Sequence, residues 1–313
     1  MGSDTLIYKI ARQYYEKNLT QQEIANRYGI SRIKVSRLLA RAVNEKIIQI
    51  RITEPENPFS EQEHLLEEKY QLDEVIIAET RSKDEPEANE SIGVAGAYYI
   101  AEKLQGSETI GITWGRALNS LINNLPSTLY PDLKVVQMLG GLGRPEAEFH
   151  GAELTRRMAQ AFGTRPRLIH SPAILKSASL CEELKSDEQV KDTLQLAVRA
   201  DIALVGIGSF TDNAPIVRNK NILSAPDIMR LKELNAAGDI SLRFFDDEGN
   251  FINTDLDSRI VGLSAEEILH IPRRIGVAGG KSKHNTIKAA LKGKLVNVLV
   301  TDQHTAMALL KND

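Results

Sequence analysis

Residues 18–52 read NLTQQEIANRYGISRIKVSRLLARAVNEKIIQIRI. Thr20 stands three residues before Glu23, the spacing of a capping box that starts a helix. Ile24, Ala25 and Tyr28 then give that helix one apolar side. Gly29 ends it, and Ile30 turns back toward a shared core. Ser31 is a second N-cap candidate, followed by Val35, Leu38, Leu39 and Ala42 at the i, i+3, i+4, i+7 period of a one-sided helix. The other side of that helix carries Arg32, Lys34, Ser36, Arg37 and Arg41. A helix with a buried stripe and a basic, hydroxyl-bearing face is suited to the major groove, where Arg pairs bidentately with guanine and Ser meets phosphate or a base edge.

The flanks fit the same pattern. Residues 6–17 place Ile7, Ile10, Ala11 and Tyr14 on one stripe, the third helix that a helix-turn-helix needs to bury its apolar side. After the recognition helix, Ile48, Ile50 and Ile52 alternate with Gln49 and Arg51, which reads as a short wing. The expected module is a winged helix-turn-helix. In it Arg32, Ser36 and Arg37 read bases, Lys34, Arg41 and Lys46 hold phosphates, and Ser31 sits at the interface as N-cap. Charge agrees: residues 1–51 hold ten Lys and Arg against four acids, a net of +6, in a chain whose total is −3. One positive segment on an acidic remainder is the asymmetry of a chain in which one module meets a polyanion.

A chain of 313 residues has room for a second, larger domain. Pro55 and Pro58 mark a linker, so the expected division is 1–53 for the helix-turn-helix domain and 54–313 for the rest. Residues 60–70 read as a helix with a capping box of Ser60 and Glu63. Residues 52–90 hold thirteen acids against Lys69, Arg81 and Lys83, which reads as a solvated acidic face. No apolar run is long enough to span a bilayer, and the N-terminus lacks the apolar core of a secretory signal. The single cysteine, Cys181, beside Leu180 and Leu184, is expected as a buried small hydrophobe in a reducing cytoplasm. The six His lack ligand spacing, so no metal is expected.

From residue 75 onward, short Val- and Ile-rich strands alternate with helices. Strands are read at 75–78, 109–113, 134–139, 202–208, 242–245, 274–280 and 295–301, with a hairpin turn at 247–250. Helices are read at 92–104, 116–125, 152–162, 179–200, 228–236, 285–291 and 305–310. The alternation implies an α/β domain with a doubly wound, mostly parallel sheet covered on both faces.

Ligands of such sheets bind beyond the carboxyl ends of the strands. Four segments there carry Gly with polar or charged residues: 111–116 with Thr113, Gly115 and Arg116, then 140–143 with Gly140 and Gly141, Gly238-Asp239, and 279–283 with Lys281 and Lys283. Two of them open helices and offer backbone N–H groups and cations to an anion. Asp239 is an acceptor suited to sugar hydroxyls. Neither GxGxxG nor GxxxxGK[ST] is present, so no dinucleotide or nucleoside triphosphate cofactor is expected. The expected ligand is a small polyhydroxylated anion.

The segments LTQQEIANRYGISRIKVSRLLARA (19–42), TWGRAL (113–118), GDISLRFFDDEGN (238–250) and GVAGGKSKHNTIKAALKGKLVNVLVTDQHTA (276–306) together resemble the SorC family of bacterial transcriptional regulators. The resemblance runs over nearly the whole chain. It implies a C-terminal sugar-binding domain similar to phosphosugar isomerases, a sugar or sugar-phosphate effector, and dimers or tetramers on paired operator half-sites. On the family's pattern the effector residues are Thr113, Gly115, Arg116, Gly140, Gly141, Asp239 and Lys283, with residues 147–177 shaping the sugar pocket. The expected function is a non-enzymatic, sugar-responsive DNA-binding regulator. The rival is a phosphosugar isomerase with an appended DNA-binding domain, for which Asp239 is the one general-base candidate in these loops.

Overall fold

The computed structural model describes residues 3–48, 57–81, 85–142, 151–219 and 222–311. The chain divides into two compact units, Met1–Asn57 and Pro58–Asp313.

The smaller unit holds α1 (Ser3–Tyr15), α2 (Gln21–Tyr28) and α3 (Arg32–Asn44). Its core is Ile7, Ile10, Ile24, Val35 and Ala42, with Tyr14, Tyr28, Ile30 and Leu38 packed around them. The capping box forms: the Thr20 hydroxyl accepts the Glu23 N–H, and the Glu23 carboxylate accepts the Thr20 N–H at 2.8 Å. Gly29 closes α2 in the left-handed conformation, φ 61°, and its N–H reaches the Ala25 carbonyl. A side chain is disfavoured there, so glycine makes the turn between the helices. Ser31 caps α3 by accepting the Lys34 N–H at 3.2 Å. Beyond α3 the Ile47 N–H bonds back to the Ala42 carbonyl, and Ile47 and Ile48 lie against the core. The expected wing, with Ile50, Arg51 and Ile52, lies outside the described residues.

The larger unit begins with α4 (Ser60–Tyr70), β1 (Glu74–Ala78), α5 (Glu85–Lys103), β2 (Thr109–Ile112), α6 (Arg116–Asn123) and β3 (Lys134–Gln137). Next come α7 (Gly151–Ala161), β4 (Pro166–Arg167), α8 (Ala178–Ser186), α9 (Glu188–Val198), β5 (Ile202–Gly206) and β6 (Gly208–Ser209). After these follow α10 (Pro215–Arg218), α11 (Ala225–Glu233), β7 (Gly238–Ile240), β8 (Arg243–Phe245) and α12 (Ala265–His270). The unit ends with β9 (Arg273–Val277), α13 (His284–Lys292), β10 (Val298–Asp302) and α14 (Gln303–Leu310).

Seven strands form one sheet in the order β1-β10-β9-β5-β2-β3-β4, every pair parallel. Side chains alternate across it. Ile110, Ile112, Ile202, Leu204, Val298 and Val300 pack with residues of α5, α6 and α7 on one face. Ala203, Val205, Leu299, Val75 and Ile77 pack with α4, α9, α13 and α14 on the other. This is the period of two expected of strands buried on both faces, and the doubly wound expectation holds.

The chain runs outward from β2 through β3 to β4, then restarts on the opposite side of β2 with β5, β9 and β10. The gap between β2 and β5 is therefore the topological switch point, where such sheets open a crevice at their carboxyl ends.

Several local readings change. The N-cap of α4 is Phe59, not Ser60. Glu63 instead accepts the Ile77 N–H at 2.9 Å, and Glu67 accepts the Val75 N–H at 2.8 Å. Part of the acidic block thus covers the backbone of an edge strand, which would otherwise offer unpaired donors. Cys181 is buried as expected, but its neighbour Leu180 points to solvent. The turn at 247–250 does bring Phe251 back to Phe245, yet β8 belongs to an unanticipated antiparallel sheet, β6-β7-β8. Gly238 and Asp239 therefore lie within that sheet, in β7, rather than at the end of a parallel strand.

Candidate functional site

At the switch point the larger unit holds a cavity of about 960 Å³. Thr113, directly after β2, ties the two strand ends together. Its N–H reaches the Leu204 carbonyl at 3.2 Å, and its hydroxyl accepts the Gly206 N–H at 3.4 Å. Trp114 lines the cavity and packs on the cluster formed by Phe210, Leu242 and Phe244. Gly115, with φ 145°, turns the chain into α6, whose first residue, Arg116, also faces the cavity.

Asp239 enters from the small sheet. The loop between β7 and β8 is Ser241-Leu242, with φ 56° and 62°. Two consecutive positive φ values match the primed two-residue hairpin turn, here built without Gly or Asn. The turn aims the Leu242 N–H at Asp239 Oδ2, 3.1 Å away. Burial pushes the Asp239 carboxyl up to about 6, with this hydrogen bond and the charge of Lys283 pulling the other way. The Ser241 hydroxyl is buried on the cavity lining and has no hydrogen-bond partner among the described residues. Buried polar atoms are rarely left so, and a ligand hydroxyl would complete it.

A carboxyl held more tightly protonated in the fold than in the unfolded chain costs stability once it ionises. For Asp239 that cost grows as pH rises from 3.8 to about 6 and is fully present above it. Asp239→Asn removes the charge. Without ligand, it is expected to raise the thermal midpoint by a few degrees at pH 7 and to change it little at pH 4. A variant that melts lower than wild type at pH 7 would refute this.

Lys283 enters from the other side. After β9, Gly280 (φ 95°) opens a short 3₁₀ turn, Lys281–Lys283, and Lys283 is the N-cap of α13. Its ammonium pairs with Glu85 Oε1 at 3.3 Å. The Gly280 N–H, expected to be free for an anion, is held by Asp302 Oδ2 at 2.8 Å and Thr305 Oγ1 at 3.1 Å.

Thr113, Gly115, Arg116, Asp239 and Lys283 thus share one cavity, while Gly140 and Gly141 do not line it. Their N–H groups bond to the Val261 and Ser171 carbonyls. A Cβ on Gly140 would lie 2.7 Å from the Pro172 carbonyl oxygen, so glycine is needed there for a chain crossing. Of that loop Leu142 reaches the cavity, and Gly143 lies outside the described residues. None of residues 151–177, the described part of the segment expected to shape the pocket, lines it either. Sequence reading missed Glu85, Trp114, Arg218, Asn219, Ser241 and Ser282. Of these Trp114, Ser241 and Ser282 lay inside motifs already singled out.

On the smaller unit, Ser31, Arg32, Lys34, Ser36, Arg37, Arg41 and Lys46 are all exposed. Among the described residues Arg32, Lys34 and Arg37 make no ion pair, whereas Arg41 Nε is 2.6 Å from Glu45 Oε1. Lys46 follows the helix end in a left-handed conformation, φ 58°. Ile33, 68% exposed beside Arg32, escaped the polar reading of this face. An exposed apolar side chain at the start of such a helix suits the methyl group of thymine.

Comparison with known proteins joins these two sites. Residues 55–311 match the family described as "Putative sugar-binding domain", and residues 9–45 match sigma-70, region 4, a helix-turn-helix region. The chain is 32% identical to the deoxyribonucleoside regulator of Bacillus subtilis (strain 168), over 98% of this chain and 97% of that protein. It is likewise 32% identical to the sorbitol operon regulator of Klebsiella pneumoniae, over 98% of both chains. The crystal structure of that full-length regulator, SorC, superposes with a TM-score of 0.74 over 98% of this chain and 99% of its own. With a helix-turn-helix followed by a sugar-binding domain along its whole length, the chain belongs to the SorC family of DNA-binding transcriptional regulators.

Proposed function

We propose that this regulator controls a sugar-utilisation operon, binding operator DNA through α3 and a sugar or sugar phosphate in the cavity at the switch point. The carrying observation is the convergence of Thr113, Gly115, Arg116, Asp239 and Lys283 on that cavity. Its cations face an anionic group, and Asp239 with Ser241 faces hydroxyls. The names of the sorbitol and deoxyribonucleoside regulators point to ligands of the same kind. Residues 1–53 form the DNA-binding module in this reading, and residues 54–313 bind effector and oligomerise. The protein works in the cytoplasm, in keeping with a buried, unpaired Cys181.

Arg32, Ser36 and Arg37 read bases from the exposed face of α3, and Lys34, Arg41 and Lys46 hold phosphates, Arg41 in exchange with Glu45. The test is titration of operator DNA with and without a panel of sugars and sugar phosphates. A true effector shifts operator affinity, and at a hundred times its dissociation constant it adds about 2.7 kcal/mol of stability. In the same assay Arg37→Ala should cost about 1–3 kcal/mol on operator and much less on unrelated DNA. Equal losses on both would make Arg37 a phosphate contact. Paired half-sites about 34–36 Å apart call for a dimer or tetramer, so a monomer mass by light scattering of the free protein counts against the assembly.

Asp239 gives the isomerase reading its one specific support, since a carboxyl poised near 6 suits a general base. Its Oδ2 already accepts the Leu242 N–H, and its Oδ1 lies close to Gly208. That favours holding a hydroxyl over abstracting a proton, and the protein has no enzymatic activity in this reading. Solvent proton exchange into sugar phosphates on incubation with the protein would overturn it.

A further inference from the structure

The cavity already contains an anion of its own. Glu85, the first residue of α5, lines it and places both carboxylate oxygens on donors of the 3₁₀ turn. Oε1 lies 3.3 Å from the Lys283 ammonium, and Oε2 accepts the Ser282 hydroxyl at 3.3 Å. An ammonium and a hydroxyl converging at a helix start are the donors a ligand anion would use. Gly280 lets Glu85 come this near, since a Cβ on it would sit 3.1 Å from the Glu85 Cα. The Lys283 side chain is 16% exposed and the Glu85 side chain 29%, so the carboxylate has the easier way out.

The rest of α5 is anchored. Gly93 lies against Ser120 of α6, and at the far end Arg273 bonds to both Tyr99 and Glu74. Removing the carboxylate from the turn is therefore a side-chain movement, with the helix staying in place.

We propose that Glu85 sets the chemical class of effector by occupying the place of the effector's anionic group, so that a phosphoryl dianion displaces it while a neutral sugar or a carboxylate does not. The proposal rests on the reading of this cavity as the effector site. A neutral sugar leaves the Glu85–Lys283 pair intact and gains nothing from the turn. A carboxylate ligand exchanges one single charge for another and leaves Glu85 without its partners. A phosphate monoester brings a charge of about −1.5 to −2 and three acceptor oxygens, enough to take both donors and hold Lys283 more strongly than Glu85 does.

The test uses the full-length protein and two small probes of similar size, glycerol phosphate and glycerate. The emission of Trp114, the single tryptophan of the chain and part of the lining, reports occupancy. Wild type should respond to glycerol phosphate and not to glycerate. Glu85→Gln keeps the side-chain size and removes the charge. It should bind glycerol phosphate about tenfold tighter, the order expected from one charge-assisted contact no longer contested, and should gain a response to glycerate. Glu85→Ala, read in the same way, should give the same ranking and replaces the Gln variant if that one melts abnormally. Wild type that binds glycerol phosphate while neither variant binds it tighter or accepts glycerate would make Glu85 a support for Lys283 and overturn the proposal alone. No response of any of the three proteins to glycerol phosphate would overturn it together with the effector-site reading.

Discussion

Asp302→Ala is expected to lower the thermal midpoint of the larger unit by roughly 6–12 °C. Asp302 ends β10 with no exposed surface. Its Oδ1 accepts the His304 and Thr305 N–H groups, both at 2.9 Å, which caps α14. Its Oδ2 accepts the Gly280 N–H at 2.8 Å and the Thr305 hydroxyl at 2.6 Å, which fixes the loop after β9. Alanine would strand several of these donors in the interior at once. Hydrogen bonds to a charged group contribute about 1.5–3 kcal/mol each, not additively, so a combined loss of about 3 kcal/mol is conservative. For a unit of this size each kcal/mol moves the midpoint by roughly 2–4 °C. Asp302→Asn, which keeps one acceptor oxygen, should lose less. A midpoint within about 2 °C of wild type for the alanine variant would mean that water replaces the carboxylate. Because the released loop carries Lys283, the same variant should also weaken ligand binding in the cavity.

Where the signal was local, the sequence was legible. Thr20 with Glu23, Gly29 and Ser31 are fixed by neighbours within a few residues, and the helices they begin and end are the ones observed. The parallel strands were legible too, since Val- and Ile-rich runs buried on both faces need no knowledge of their partners. Strand order was not. The pairing of β1 with β10, the first strand with the last, leaves no trace in either segment. Strand order also separates Gly115 from Gly140, two glycines that looked alike after two apolar strands. The first follows β2 at the switch point, and the second follows β3, one strand away from it. The small sheet was invisible for another reason: β6 has two residues and β7 three, too short for any period to register. The Ser241-Leu242 turn lacks the Gly or Asn that would have announced it. Glu85 escaped notice because it sat inside an acidic run that read as solvated, and only the fold brings it against Lys283.

Lys283→Ala should weaken binding of a phosphorylated effector about tenfold or more, and operator affinity without effector should be unchanged. Its ammonium is mostly buried at the cavity and already holds one carboxylate. A charge-assisted contact to phosphate is worth roughly 1.5–3 kcal/mol. The substitution does more than delete that contact, because it leaves Glu85 as an unpaired negative charge where the phosphate must sit. Part of the loss is therefore repulsion, and adding Glu85→Gln to Lys283→Ala should recover some affinity. A Lys283 that acted only as helix N-cap would show no such recovery, since its effect would then be one of folding. Arg116 enters the cavity from α6, apart from the turn that carries Lys283. If the two cations grip one phosphate, Arg116→Ala should resemble Lys283→Ala, and the double variant should lose less than the sum of the two. Additive losses would assign Arg116 to a different part of the ligand. Calorimetric titration of wild type, the two single variants and the two double variants with glycerol phosphate, then with the effector found by the panel, measures each term. If Lys283→Ala binds as tightly as wild type, the anion site lies elsewhere in the cavity, and Asp239 with Ser241 becomes the centre of recognition for an unphosphorylated sugar.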